Sequence, residues 1–447
     1  MVQALCLCIE VIYSIYERVS ILVIHVVKRG ESIYTISRLY GVSPNKIISD
    51  NELTNPNSLV VGQTLVILGG QQKHLVAPGQ TLYVIARNYG VSVSDLLRAN
   101  PQITNPALLQ PGQIINVPID GVKLGTIDVN GYAFPNINRE VLRKTLPHLT
   151  YLSIFSHEVR PDGSLGNVDD AALISAARAA RVAPLMVISN IQEGGSFNSD
   201  LARTILTNNQ VQDTLLNNVI QRMRERNYYG LDIDFEYIYP ENREDYTRFL
   251  RKTVDRLRPL GYTVTTALAP KTSAQQQGLL YEAHDYRVHG ELVDHVILMT
   301  YEWGFTYGPP KAVAPYNEVR KVLDYAVTVI PREKILMGIP NYGYDWTLPY
   351  VQGSAAKTVS NTGAVELAER EHAAIEYDTT ARSPHFTYYD DNRKEHVVWF
   401  EDARSINSKL RLVNEYGLAG VSYWTIGRYF PQNWLVLNSL YNVRKVI

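Results

Sequence analysis

Eight short apolar runs, spread over residues 126–426 with helix-like stretches between them, leave this chain few folds to choose from. They are TIDVNGYAF, LTYLSIFS, APLMVISN, GLDIDFE, TVTTALAP, HVILMTY, KILMGIPNY and GVSYWTI. Runs of this kind read as strands covered on both faces, and intervening stretches such as AALISAARAARV and REDYTRFLRKTVDRLRPL read as the covering helices. Eight such alternations predict a closed parallel sheet, the (β/α)8 TIM barrel of the α/β class. An open doubly wound sheet is the rival, but no Gly-rich phosphate loop follows the first run. The last gap is longer and contains HFTYYDDNRKEHVVWF, which reads as extra β structure. Residues 347–410 are therefore expected to form a small α+β insertion between strands seven and eight, on the barrel's active face.

Ahead of the barrel lies an internal repeat. Gly30 and Gly79, Gly41 and Gly90, and Asn51 and Asn100 are each 49 positions apart. Each copy reads as strand, turn, two short helices and a closing strand after a Gly-Gln turn. Two copies are too few for a solenoid, which needs about three to bury a core. This βααβ pattern resembles the LysM family, over residues 22–69 and 72–119. The resemblance implies binding of N-acetylglucosamine-containing glycans in a groove between the first strand–helix loop and the second helix–strand loop. Gly30, Glu31, Ser32 and Ile33, with Asn55 to Leu59, would form one groove. Gly79, Gln80, Thr81 and Leu82, with Asn105 to Leu109, would form the other. Taken singly, most of these residues read as turn formers and caps. The modules are expected to be separable, so that removing residues 1–120 leaves an active barrel with weakened attachment to insoluble glycan.

Composition narrows the partners. With 43 basic and 44 acidic residues, the formal charge is −1, which gives no electrostatic reason to expect nucleic acid or an anionic membrane. Cys6 and Cys8 are the only cysteines, so no disulfide framework spans the domains. The N-terminal extension, residues 1–21, has Glu10 interrupting its apolar stretch and lacks both an early basic residue and a small-residue cleavage site. It is a poor signal peptide and too short and interrupted to span a membrane. One reading is that it is not translated at all: Glu17-Arg18-Val19 can back-translate to a ribosome-binding site shortly before Leu22 and Val23. The chain is expected to work as a monomer.

The segment that carries chemistry is Tyr229-Gly230-Leu231-Asp232-Ile233-Asp234-Phe235-Glu236. Alternation along a strand points Asp232, Asp234 and Glu236 one way and the apolar residues the other. In a barrel the apolar set meets the helices and the acids line the interior, with Glu236 nearest the catalytic mouth. Three carboxyls in one file cannot all ionise cheaply, so one stays protonated near neutral pH. A protonated Glu in a cleft suits cleavage of a glycosidic bond. A solvated strand face and a divalent-metal site are the competing readings; the eight-run pattern disfavours both.

At this point the sequence is similar to family 18 glycoside hydrolases, the chitinase-like group, whose strand-four signature is DGxDxDxE. Gly230, Asp232, Asp234 and Glu236 are kept, while Tyr229 and Phe235 depart from the common Asp and Trp. Met299-Thr300-Tyr301-Glu302 matches the strand-six pattern, Gly338 to Gly343 that of strand seven, and Trp424 that of strand eight, so the likeness spans roughly residues 123–447. It implies a substrate-assisted, retaining reaction needing no cofactor and no metal. Glu236 is the implied acid, Asp234 orients the substrate acetamido group, Asp232 tunes Asp234, Tyr301 binds the acetamido oxygen, and Trp424 floors the sugar. Tyr132, Met299, Glu302, Trp303 and Asn341 are further candidate substrate contacts. Trp346 is a weaker one, Trp399 and Trp434 are not expected to take part, and His157 and Glu158 could line the cleft.

Two LysM-like modules ahead of such a barrel resemble the bacterial spore cortex-lytic N-acetylglucosaminidases. That implies hydrolysis of spore peptidoglycan during germination, at the coat/cortex boundary, by a protein made without a cleavable signal peptide. A chitinase and a catalytically silent glycan-binding lectin are the alternatives, and the presence of Glu236 disfavours the second.

Overall fold

The computed structural model describes residues 22–69, 71–89, 91–118, 123–191 and 195–447. The N-terminal extension and Gly90 of the repeat fall outside them. The first module is strand β1 (Val23–Val26), helices α1 (Ile33–Tyr40) and α2 (Pro44–Asn51), and strand β2 (Thr64–Ile67). The second is β3 (Gln71–Leu75), α3 (Leu82–Tyr89), α4 (Val93–Ala99) and β4 (Ile114–Pro118). In each, the two strands pair antiparallel. The central asparagine ties the second helix to the closing strand. Asn51 accepts from the Val66 N–H and donates to the Ile47 and Val66 carbonyls. Asn100 does the same with Asn116 and Leu96. A short polar side chain that both donates and accepts is what such a double tie requires.

The barrel strands are β5 (Gly125–Ala133), β6 (Tyr151–Glu158), β7 (Ala183–Ser189), β8 (Gly230–Asp234), β9 (Thr263–Leu268), β10 (His295–Leu298) and β11 (Ile335–Pro340). The eighth, β17 (Gly420–Trp424), pairs in parallel with both β11 and β5, and this closes the ring. All eight apolar runs are strands of it. Helices α5 (Arg139–Thr145), α6 (Ala171–Ala179), α7 (Ser199–Thr207), α8 (Asn209–Arg226), α9 (Arg243–Leu257), α10 (Tyr286–Leu292) and α11 (Tyr316–Ala326) lie between successive strands. Leu231, Ile233 and Phe235 are buried in the shared cluster with helix residues such as Leu216, Phe249 and Leu250.

Between β11 and β17 stands an antiparallel sheet of five strands in the order β13-β12-β16-β15-β14. Its members are β12 (Gly343–Thr347), β13 (Lys357–Val359), β14 (Glu376–Asp378), β15 (Ser383–Tyr389) and β16 (Glu395–Trp399), and helix α12 (Asn361–Arg370) packs on it. The sheet starts at Gly343 rather than 347, and helix α13 (Ala403–Tyr416) belongs to the barrel wall rather than to the insertion. The turn-poor sequence GYDWT runs straight on from β11, which hid the first boundary.

The first module is packed against the barrel. Its register sets Ile24 opposite Val66, and Val66 is fully buried in the barrel's own apolar cluster with Ile24, Leu22 and Leu68 against it. The matching pair in the second module is Lys73 opposite Asn116, with Lys73 exposed. Among the described residues, no helix is long and apolar enough to cross a membrane.

Candidate active site

Strand β8 delivers the acids as its alternation requires. Asp232 and Asp234 are buried inside the ring, and Glu236, just past the strand end, is half-buried at its C-terminal mouth. The Ser153 hydroxyl, from β6, donates to Asp232 at 3.0 Å. Tyr132, from β5, faces the same carboxyl from a fully buried position, but its hydroxyl closes no hydrogen bond. One oxygen each of Asp232 and Asp234 is buried without a partner.

Burial, which penalises charge, dominates the titration of this file. It pushes Asp232 up to about 6 against the pull of Tyr132 and Ser153. Asp234 is raised by burial and then by the charges of Glu236 and Asp232. Glu236 is pushed up to about 8, by burial first and the negative Glu302 second. A carboxyl that keeps its proton near neutrality is thus present where the barrel opens. The acids are strung along the strand, and among the described residues no three His, Cys, Asp or Glu side chains converge on a cation-sized space.

The main chain around Glu236 is gripped from two sides by residues that sequence reading missed. Asn190, the residue after β7, accepts from the Glu236 N–H at 2.9 Å and donates to its carbonyl at 2.8 Å. His284 takes a hydrogen bond from the Ala269 N–H at Nδ1, so its proton sits on Nε2 and is donated to the Phe235 carbonyl at 3.0 Å. Burial pushes this imidazole down to about 4, which keeps it neutral in its donor role. Asn190 ends an apolar run, a visible polar interruption. His284 lies in a loop with no pattern to mark it.

Tyr301 and Glu302 follow β10. Tyr301 is buried, and its ring fits because Gly338 faces it: a Cβ there would lie 2.8 Å from the ring and 2.5 Å from the Leu298 carbonyl. The motif glycine of strand seven is thereby explained. Glu302 reaches solvent in the mouth, with its carboxylate taking hydrogen bonds from the Tyr342 and Tyr344 hydroxyls. Burial within the concave mouth raises its titration, opposed by those two hydroxyls. Tyr237, after Glu236, and Glu302, after Tyr301, both hold left-handed backbone at φ 53° and 67°. Such residues cost of order 1 kcal/mol each and cluster at functional sites.

Trp424, at the end of β17, is half-buried, edge-on to Tyr132 at 5.3 Å and Phe155 at 4.9 Å, with Met299 in the same cluster. Other expected contacts are engaged elsewhere. Asn341 is buried and donates to the Thr425 and Arg428 carbonyls, so its amide nitrogen anchors a loop. Trp303 packs at the edge of the main core. Trp346 is buried and donates to the Gly308 carbonyl, and buried His157 lies between Asp170 and Tyr228.

In the modules, the expected groove side chains mostly bond within their own module, and of them Ile33 and Leu82 are buried. Glu31 binds His25 and the Lys28 N–H, and Gln80 binds His74 and the Ala77 N–H. Ile33 and Leu82 are core residues. Ser32 caps α1, and Thr81 accepts from the Val84 N–H at the start of α3. Gly30 and Gly79 hold left-handed turns at φ 84° and 79°. The loops therefore offer main chain, together with Tyr34 and Tyr83, which are exposed one position further on.

A model of glycosyl hydrolases family 18 matches residues 141–428, and one of the LysM domain matches residues 25–68 and 74–118. The chain belongs to glycosyl hydrolase family 18. It is 44% identical over 429 residues to the "Cortical fragment-lytic enzyme" of Bacillus subtilis, covering 94% of this chain and 99% of that one. The crystal structure of the Bacillus megaterium spore cortex-lytic enzyme SleL superposes with a TM-score of 0.89 at 42% identity, covering 96% of this chain and all of the other. A chitinase from Chromobacterium violaceum shares the barrel fold, with a TM-score of 0.66 at 24% identity over 70% of this chain and 98% of the chitinase. The file of acids on β8 is thus set in a family-18 barrel, and the two repeats ahead of it are LysM domains.

Proposed function

We propose that this protein cleaves N-acetylglucosamine glycosidic bonds of spore cortex peptidoglycan during germination, by a retaining reaction in which the substrate's acetamido group is the nucleophile. The observation that carries the reading is the half-buried Glu236, its carboxyl pushed up to about 8 at the barrel mouth, close enough to Asp234 and Tyr301 for its charge to act on both. Glu236 gives its proton to the glycosidic oxygen as the bond to the anomeric carbon breaks. The acetamido carbonyl oxygen bonds that carbon from the opposite face and forms an oxazolinium ion. Asp234 accepts the acetamido N–H and steadies the positive charge, and Asp232 supplies or takes the proton the file shares. Water, deprotonated by the Glu236 carboxylate, then opens the ring with net retention. Tyr301 binds the acetamido oxygen and Trp424 floors the sugar ring. Asp234 and Glu236 lie two residues apart on one strand face, so neither reaches the far side of the sugar to act as a covalent nucleophile.

The cortex substrate is supported by the names of the relatives at 44% and 42% identity and by the LysM domains. On this reading the protein acts as a monomer at the coat/cortex boundary. The test is digestion of purified cortex fragments and of chitin oligomers in parallel, with reducing ends identified by mass spectrometry. New N-acetylglucosamine reducing ends from cortex are expected. Cleavage of chitin alone would overturn the substrate, and a trapped sugar ester on Asp or Glu would overturn the mechanism.

A further inference from the structure

The two LysM domains differ in what surrounds them. Around the first, the Val61 carbonyl accepts from the Ile375 N–H of the insertion at 2.8 Å, and Val60 is buried with Leu367, Ile375 and Phe400. Asn55 donates to Glu369 on α12, and Glu52 pairs with Lys144 on the barrel. Helix α14 (Pro431–Leu440) contributes Gln432, which is buried. Its carbonyl oxygen accepts from the Thr64 hydroxyl at 2.8 Å, and its amide donates to Asn51 at 3.1 Å and to the Thr64 carbonyl at 2.6 Å. Gly62 sits so close that a Cβ would lie 1.8 Å from the Ile375 carbonyl oxygen, whereas its counterpart Gly112 faces open space. The second domain carries exposed Gln110 where the first has Val60, and Asn116 where it has Val66.

What the first domain touches leads straight to the catalytic mouth. Residues 425–430 run from Trp424 to α14. Near the mouth this loop is held by the Tyr132 carbonyl, which takes the Ile426 N–H, and by Asn341. Its far end, Tyr429 to Gln432, has the Lys144 ammonium 4.3 Å over the Tyr429 ring, and Phe430, Pro431 and Gln432 line the crevice against the first domain. We propose that the first LysM domain is a fixed wall of the catalytic body, bracing the loop behind Trp424, and that only the second is a tethered glycan-capturing unit. A loop fixed at both ends holds the Trp424 ring at one height under the sugar; freed at one end, it samples positions that misplace the reacting carbon. The second domain's own folding with Lys73, Gln110 and Asn116 indicates that a LysM core does not need the apolar outer face.

The inference rests on the glycosidase reading only through turnover. The full chain carrying Ile24→Lys, Val60→Gln and Val66→Asn, which install second-domain residues, is compared with wild type by small-angle scattering and by turnover of a short chromogenic N-acetylglucosamine oligomer. Expected are a larger particle and a kcat about 3–10-fold lower with little change in KM. A second pair, Gly62→Ala and Gly112→Ala, imposes the same left-handed strain at φ 87° and 84°, but only the first meets the insertion. Gly62→Ala alone should expand the particle and lower kcat. Scattering unchanged in the triple variant, expansion without loss of kcat, or equal effects of the two alanines would each overturn the proposal. A wild type inactive on cortex would sink the substrate reading and leave the scattering comparison standing.

Discussion

Two buried polar regions of this molecule are built to opposite rules. In the seam between the first LysM domain and the barrel, Asn51, Thr64 and Gln432 bond one another, and buried Lys409 on α13 places its ammonium 2.8 and 2.9 Å from the two oxygens of buried Glu401. In the column on β8, by contrast, Asp232 and Asp234 each keep a buried oxygen without a partner, and burial holds Glu236 protonated. A satisfied buried network fixes one arrangement of the chain. An unsatisfied one is a site held ready for groups that arrive with a substrate, at some expense in stability.

The comparison predicts opposite mutational signatures, and the largest lies in the column. Glu236→Gln should lower kcat by about 10²–10⁴-fold or more, since it removes the transferable proton at constant shape. The protein should remain folded and still bind glycan, as assayed by turnover alongside a pull-down on insoluble cortex. Activity within a few-fold of wild type would remove the acid from the scheme.

In the seam the loss should be of stability. Lys409→Met strips a buried carboxylate of its partner and should cost about 3–5 kcal/mol in urea denaturation. Adding Glu401→Leu should recover most of it, because the penalty lies in the unpaired charge. A single variant as stable as wild type would show that the pair is not held apart from water.

The smallest effect is one of pH. The Glu236 carboxyl titrates near 8 in the folded chain against 4.5 ordinarily, so its contribution to stability is full below 4.5 and lost as pH rises through 8. Glu236→Gln cannot ionise, and its Tm should exceed that of wild type by a few degrees at pH 9 and by less at pH 5. The same titration predicts that wild-type kcat/KM declines above about pH 8. A Tm difference independent of pH would mean that the carboxyl is not held protonated by the fold.

The sequence by itself determined the ring and its chemistry. Period-two alternation put Asp232, Asp234 and Glu236 on one face and Leu231, Ile233 and Phe235 on the other, and eight apolar runs left the barrel as the way to bury them. It determined the two βααβ units as well, because turn glycines and the central asparagine recur at a fixed spacing. What it could not determine was which side chains would be taken up by neighbours distant in the chain. Asn341 and Trp346 read as substrate contacts but are engaged by the Thr425 and Gly308 carbonyls, and Glu31 is held by His25. Asn190 and His284 grip the Glu236 N–H and the Phe235 carbonyl from 46 and 49 positions away, a relation no local pattern carries. The contrast between Val66 and Asn116 was visible in the repeat, yet only the tertiary structure decided that the apolar one meets the barrel. Local alternation fixes the face on which a residue lies; what covers that face depends on long-range packing, which brings together segments whose patterns are independent of each other.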